Sequence, residues 1–113
     1  MSYEFGNLTT LEDVNQALEQ QDALLMFFNS GSCNVGEAVA PKIMNLIAGD
    51  FPKMKFFFVD IALSPDIATH FSVFVEPTIL TFFGGKETLR KSRHFSLDEL
   101  AQAISRPYHI LFD

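Results

Sequence analysis

The sequence contains one cysteine, no tryptophan and few basic residues. A single cysteine, Cys33, excludes an intramolecular disulfide and by itself does not identify a compartment. No apolar run approaches the roughly 18 residues of a membrane-spanning helix. No charged segment followed by an apolar stretch opens the chain, so no secretory leader is expected. Lys and Arg number 8 against 14 Asp and Glu, a formal net charge of −6. No basic run offsets that balance, which argues against nucleic acid and anionic membranes as partners. The one locally basic stretch, Lys86, Arg90, Lys91 and Arg93, includes Glu87 and reads as a solvated strand face. The three histidines, His70, His94 and His109, fall in separate elements and form no metal pattern with Cys33. They read as surface or packing residues, and no cofactor or metal is implied. There is no phosphate-binding glycine loop, and Ser30 and Ser32 lack an evident base. The chain reads as a soluble, cytoplasmic protein.

What is present is ample material for a core. The 113 residues fit one domain, 1–113, with 48% hydrophobic residues and 13 Phe. Thr9 and Glu12 form a capping signature, which predicts a helix to about Gln20 with Leu11, Val14 and Leu18 on one face. Ala23 to Asn29 is a continuous apolar run of strand length. A second helix is predicted from Asn34 to about Ala48, with Val35, Val39, Ile43, Leu46 and Ile47 as its stripe and Gly49 as its end. Pro41 lies inside it, where a kink is expected. Lys55 to Ile61 is a second buried strand. Ser64-Pro65 opens a short helix. Thr78 to Phe83 and Thr88 to Phe95 form a hairpin about Gly84-Gly85. Ser96 and Glu99 box the start of a last helix to about Ser105, which Arg106-Pro107 stops. The apolar tail, residues 105–113, is expected to dock on the domain or on a partner. A short strand at Tyr3 to Phe5 completes the reading.

Early strands alternating with helices imply parallel pairing by right-handed crossovers. The hairpin then adds an antiparallel edge. The expected fold is α/β, a three-layer α/β/α sandwich around a mixed central sheet.

From about Leu8 to Ile104 the chain resembles the thioredoxin family. Cys33 is followed eight residues later by Pro41 after Ala40, as the first active-site cysteine of thioredoxins is followed by Ala-Pro. Val75-Glu76-Pro77-Thr78 looks like the family's Ile-Pro-Thr. Val59-Asp60-Ile61 and Phe82-Phe83-Gly84-Gly85-Lys86 match its strand ends. The resemblance implies a thioredoxin-like fold and a cis peptide before Pro77, close to Cys33. It also implies a theme of cell redox homeostasis. The departures are specific. The motif reads Ser32-Cys33-Asn34-Val35-Gly36, so Gly36 stands where the resolving cysteine would be. Phe27 stands near the family's buried Asp, and Asn29 and Ser32 stand for its two tryptophans. Glu76 precedes Pro77, where the family usually has an uncharged residue.

Dithiol reduction needs a second thiol to attack the mixed disulfide. Without one, the oxidoreductase cycle of thioredoxins is not expected, and whether the protein is an enzyme stays open. Two opposing effects act on Cys33. A helix N-terminus favours an anion by about 0.3–1 kcal/mol, and a carboxylate at Glu76 would oppose one by about 1–3 kcal/mol. Two functions follow. In the first, Cys33 is a candidate catalytic thiol that forms mixed disulfides with client proteins or glutathione. In the second, the fold is a redox-inactive binding or chaperone-like module. Its groove near Cys33 and Pro77 would then take an extended peptide without exchange. In both, Ser32, Asn34, Glu76 and Pro77 are the candidate substrate-binding residues. Partner identity and oligomeric state are not written in the sequence.

Overall fold

The computed structural model describes residues 5–113. Among these residues, five strands and four helices follow in the order β1 (Phe5–Asn7), α1 (Leu11–Gln20), β2 (Ala23–Asn29), α2 (Asn34–Asp50), β3 (Lys55–Asp60), α3 (Pro65–His70), β4 (Thr78–Phe83), β5 (Lys86–Ser92) and α4 (Leu97–Phe112). The expected strand at Tyr3 to Phe5 lies outside the described residues except for Phe5, which opens β1. The sheet order is β1-β3-β2-β4-β5. β3 runs parallel to β1 and β2, while β4 is antiparallel to β2 and to β5.

Central strand β2 shows why the fold has three layers. Its side chains alternate between faces, and both faces are buried. Leu25 and Phe27 pack with Ile43 and Ile47 of α2 and Leu100 and Ile104 of α4. Leu24, Met26 and Phe28 pack with Val14 of α1 and Ile67 of α3 on the other side. A strand covered on both faces reads as a continuous apolar run, which is what Ala23 to Phe28 is.

The structure moves several expected boundaries. Helix α1 is capped by Thr10, not Thr9, with Asp13 as its box partner. Both Thr residues have an acid three positions on, and the Asp13 carboxylate selects Thr10 while also accepting from Thr9 N–H and Oγ1. Leu11 stays 36% exposed, so the buried face of α1 is Val14 and Ala17. Helix α2 passes through Gly49 to Asp50, because Phe51 is the residue that turns inward to be buried. Its buried line is Gly36, Ala40, Ile43 and Ile47, and Val35 is 64% exposed. Strand β3 ends at Asp60, whose Oδ1 accepts from the N–H groups of Ala62 and Leu63 and so caps the following loop. Strand β5 starts at Lys86 rather than Thr88, since Gly84 and Gly85 both have positive φ and pairing resumes directly after this two-residue turn. It ends at Ser92 rather than Phe95, because Arg93 takes a positive φ of 62°.

The largest correction is at the C-terminal end. Helix α4 does not stop at Arg106-Pro107 but continues to Phe112. An interior proline costs about 3 kcal/mol. Beyond it, Tyr108 is buried, its ring meets Phe51 edge-on at 5.1 Å, and its hydroxyl accepts from Lys53 N–H at 3.1 Å. Burying such a ring yields about 2–3 kcal/mol, with about 1 more from each of the ring pair and the hydrogen bond. These terms offset the proline, so the tail docks on the molecule's own core as helix.

Candidate functional site

Cys33 lies at the turn between β2 and α2, as the N-cap residue of that helix. Its carbonyl accepts the first helical bond, from Glu37 N–H, and its own N–H donates to Ser30 O. The side chain makes no capping hydrogen bond, and the residue is half-buried with a free thiol. The sulfur is thus placed at a helix N-terminus without being consumed in holding it. Asn34 is the first helical residue and is exposed.

Strand register brings distant residues to this turn. Phe28 of β2 is paired with Thr78 of β4, and Thr78 with Ser92 of β5. The end of β2, the start of β4 and the end of β5 therefore share one edge of the sheet. A cleft of about 420 Å³ opens there, with Ser32, Cys33, Val35, Glu76 and Pro77 among its walls. The Glu76–Pro77 peptide is cis. Asn34 is not among the lining residues.

Glu76 has a defined structural task. One carboxylate oxygen accepts from Ser30 N–H at 2.8 Å and the other from Ser30 Oγ at 3.0 Å. Since the Ser30 hydroxyl donates to Glu76, its contact with Ser32 Oγ at 3.0 Å makes Ser32 the donor. A line of donors runs Ser32 to Ser30 to Glu76 and ties the loop before Pro77 to the turn before Cys33. On the far side of that loop, Thr78 Oγ1 donates to Val75 O and accepts from Ser92 Oγ, and Arg93 N–H donates to Pro77 O. Beyond the charge it brings to the cleft, Glu76 thus acts as a clasp.

The second unforeseen feature is Asn29. Its Nδ2 donates to the carbonyls of Ser30 and Cys33 at 3.0 and 3.4 Å, bracing the turn. Its Oδ1 is buried with no hydrogen-bond partner. The amide lies against Gly36 so closely that a Cβ at position 36 would collide with Oδ1, Cγ and Nδ2 of Asn29. The place of a second thiol is therefore filled by a side chain, not merely lacking sulfur. Phe27, near the position of the family's buried Asp, is 1% exposed and packs its ring with Phe56 and Phe58. No ionisable group stands there to relay a proton.

Arg93 and His94 also line the cleft beside Cys33. From sequence, Arg93 is expected on a solvated strand face and His94 on the surface or in packing. The signal for their position was partial: counting back along the hairpin from Gly84-Gly85 puts Lys91 opposite Thr78, and a register shift between Thr81 and Phe82 moves this to Ser92 and brings Arg93 next to Pro77. Asn29 had no such signal, because its contact with Gly36 depends on the path of the turn. Among the described residues no group of three or more His, Cys, Asp or Glu could hold a metal, and no helix is long and apolar enough to cross a membrane.

No family model matches the chain. It is 27% identical over 107 residues to the thioredoxin-like protein YdfQ of Bacillus subtilis, covering 95% of each chain. It is 33% identical over 81 residues to Thioredoxin-2 of Pyricularia oryzae, covering 72% of this chain and 47% of that one, so it spans about half of that relative's length. Mitochondrial thioredoxin 3 of Saccharomyces cerevisiae superposes with a TM-score of 0.81 at 25% identity, over 89% of this chain and 93% of that one. Sheet order, site placement and these relatives agree: the chain is thioredoxin-like and has the thioredoxin fold, with one cysteine at the turn where thioredoxins place their redox motif.

Proposed function

We propose that the protein is a monothiol exchange protein, with Cys33 as its reacting group. The observation that carries this reading is a free, half-buried thiol at a helix N-terminus, opening on a cleft, with no side-chain bond to quench it. The Cys33 thiolate attacks a disulfide of a client protein or of glutathione, and its proton goes to solvent. A Cys33–S bond forms, the partner's S–S bond breaks, and one partner thiolate leaves. Cys33 is thereby oxidised to a mixed disulfide and half of the partner is reduced. Gly36 offers no sulfur and Asn29 closes its place, so release requires attack by an outside thiol such as reduced glutathione. The outside sulfur forms a disulfide with the partner half held on Cys33, the Cys33–S bond breaks, and the Cys33 thiolate leaves restored. A reducing, cytoplasmic setting suits this cycle because such thiols are abundant there. Ser32, Glu76 and Pro77 shape the cleft in which the partner lies, and exposed Asn34 borders it as the first helical residue.

The test is intact mass after incubation with oxidised and then reduced glutathione. The expected result is one glutathione adduct on the wild type, none on Cys33→Ser, and removal of the adduct by the reduced form. Absence of the adduct would refute exchange.

A second reading is supported by the Asn29–Gly36 packing, which closes dithiol chemistry: the cleft binds an extended peptide and the thiol takes no part. Under that reading Cys33→Ser retains partner binding, whereas a thiol-dependent partner is lost with it.

A further inference from the structure

We propose that Arg93 and His94 form an anion-selecting subsite of the Cys33 cleft. The cleft thereby prefers a small disulfide that carries carboxylates, of the glutathione type, over neutral or cationic ones. This rests on the monothiol reading and names its substrate class.

Three observations support it. First, both residues line the cleft that Cys33 opens on, and its volume of about 420 Å³ falls within the range of about 300–1,000 Å³ usual for small ligands. Second, the cation is not paired within the cleft. Among the described residues Glu76 is the one acidic residue on the cleft; it keeps its charge, but both of its oxygens accept from Ser30 and neither is bonded to Arg93. Among the described residues, the Arg93 side chain has no hydrogen bond or ion pair, whereas neighbouring Arg90 is fully engaged by Glu87, Phe71 O and Ser72 O. The chain's net charge of −6 is spread elsewhere and is screened beyond about 8 Å at physiological salt. Arg93 is therefore the group on the cleft left free to pair with a ligand carboxylate. Third, Arg93 has a φ of 62°, a conformation in which glycine or asparagine is cheaper. Structure alone would favour glycine at this position; an arginine there gives the cleft a guanidinium suited to carboxylates.

The experiment compares second-order rates of Cys33 modification, read by intact mass, for three small disulfides. They are dithiodipropionate (anionic), bis(hydroxyethyl) disulfide (neutral) and cystamine (cationic). The proteins are wild type, Arg93→Gly and Arg93→Lys, with thermal unfolding measured alongside. For Arg93→Gly, the ratio of anionic to neutral rate is expected to fall about three- to fivefold at low salt, the scale of an exposed ion pair. The neutral rate itself should hold within about twofold, and the melting temperature should stay equal or rise as the left-handed residue becomes glycine. Arg93→Lys should fall between the two. A ratio unchanged in Arg93→Gly, with reactive Cys33, overturns the subsite and leaves the exchange reading standing. Unreactive Cys33 toward all three disulfides overturns both.

Discussion

Three side chains around Cys33 decide what that cysteine can do. Asn29 braces the turn with two hydrogen bonds and occupies the room a side chain at position 36 would need. Introducing the second thiol alone, as Gly36→Cys, therefore overpacks the turn. We expect a loss of about 1–3 kcal/mol in chemical unfolding, with no dithiol activity. Combining it with Asn29→Ala should cost less than the sum of the single changes, a coupling of about 0.5–3 kcal/mol. A Gly36→Cys protein as stable as wild type would show that Asn29 moves aside freely. Glu76 is the second decisive side chain. Its carboxylate receives both the N–H and the hydroxyl of Ser30, which is 8% exposed. Glu76→Ala leaves those donors unpaired and should lower stability by about 1–3 kcal/mol. Thermal or urea unfolding checks this, and an unchanged stability would rule out the clasp. The third is Arg93, whose contribution is to the ligand rather than to the fold.

At the scale of elements, capping and burial set the boundaries that local rules placed only approximately. The Asp13 carboxyl is held below its ordinary range, first by the Thr9 N–H, then by the Thr9 hydroxyl and by Thr10. A folded pKa below the unfolded one stabilises the protein above the unfolded value, and that contribution is lost as pH falls through the folded value. The stability gap between wild type and Asp13→Asn should thus be present at neutral pH and close in acid. A gap independent of pH would contradict the assignment. In α4, Pro107 looks like a terminator, and sequence alone ends the helix before it. A stop there would make Tyr108→Ala nearly silent. The buried ring and its bond to Lys53 N–H predict instead a loss of about 3–5 kcal/mol on unfolding. Strand β2 was legible because burial on both faces writes an unbroken apolar run. The end of α4 was not, because the energy that carries it past proline comes from Phe51 and Lys53, about half the chain away. Val35 was misread as core for a related reason: it continues the helical period of Val39 and Ile43, yet it is exposed and lines the cleft beside Cys33.

For the whole molecule, sheet topology turns three separate loops into one site. Because β4 lies antiparallel between β2 and β5, the segments at Ser32-Cys33, Glu76-Pro77 and Arg93-His94 meet at one edge. The first two were readable from the spacing of Cys33, Pro41 and Pro77, and they were assigned to the site. The third required the hairpin register, and the Asn29–Gly36 contact required coordinates. The fold therefore preserves the family's meeting of a thiol and a cis-proline loop while removing the second thiol, its space and the buried acid. What remains, on the function proposed above, is a site for one-thiol exchange that depends on an outside reductant. The most direct measurement is glutathione-dependent turnover of bis(hydroxyethyl) disulfide by wild type, Cys33→Ser and a protein-free control. The account predicts turnover above the control that rises with reduced glutathione and vanishes in Cys33→Ser. Turnover equal in all three would contradict it and leave the cleft as a binding surface.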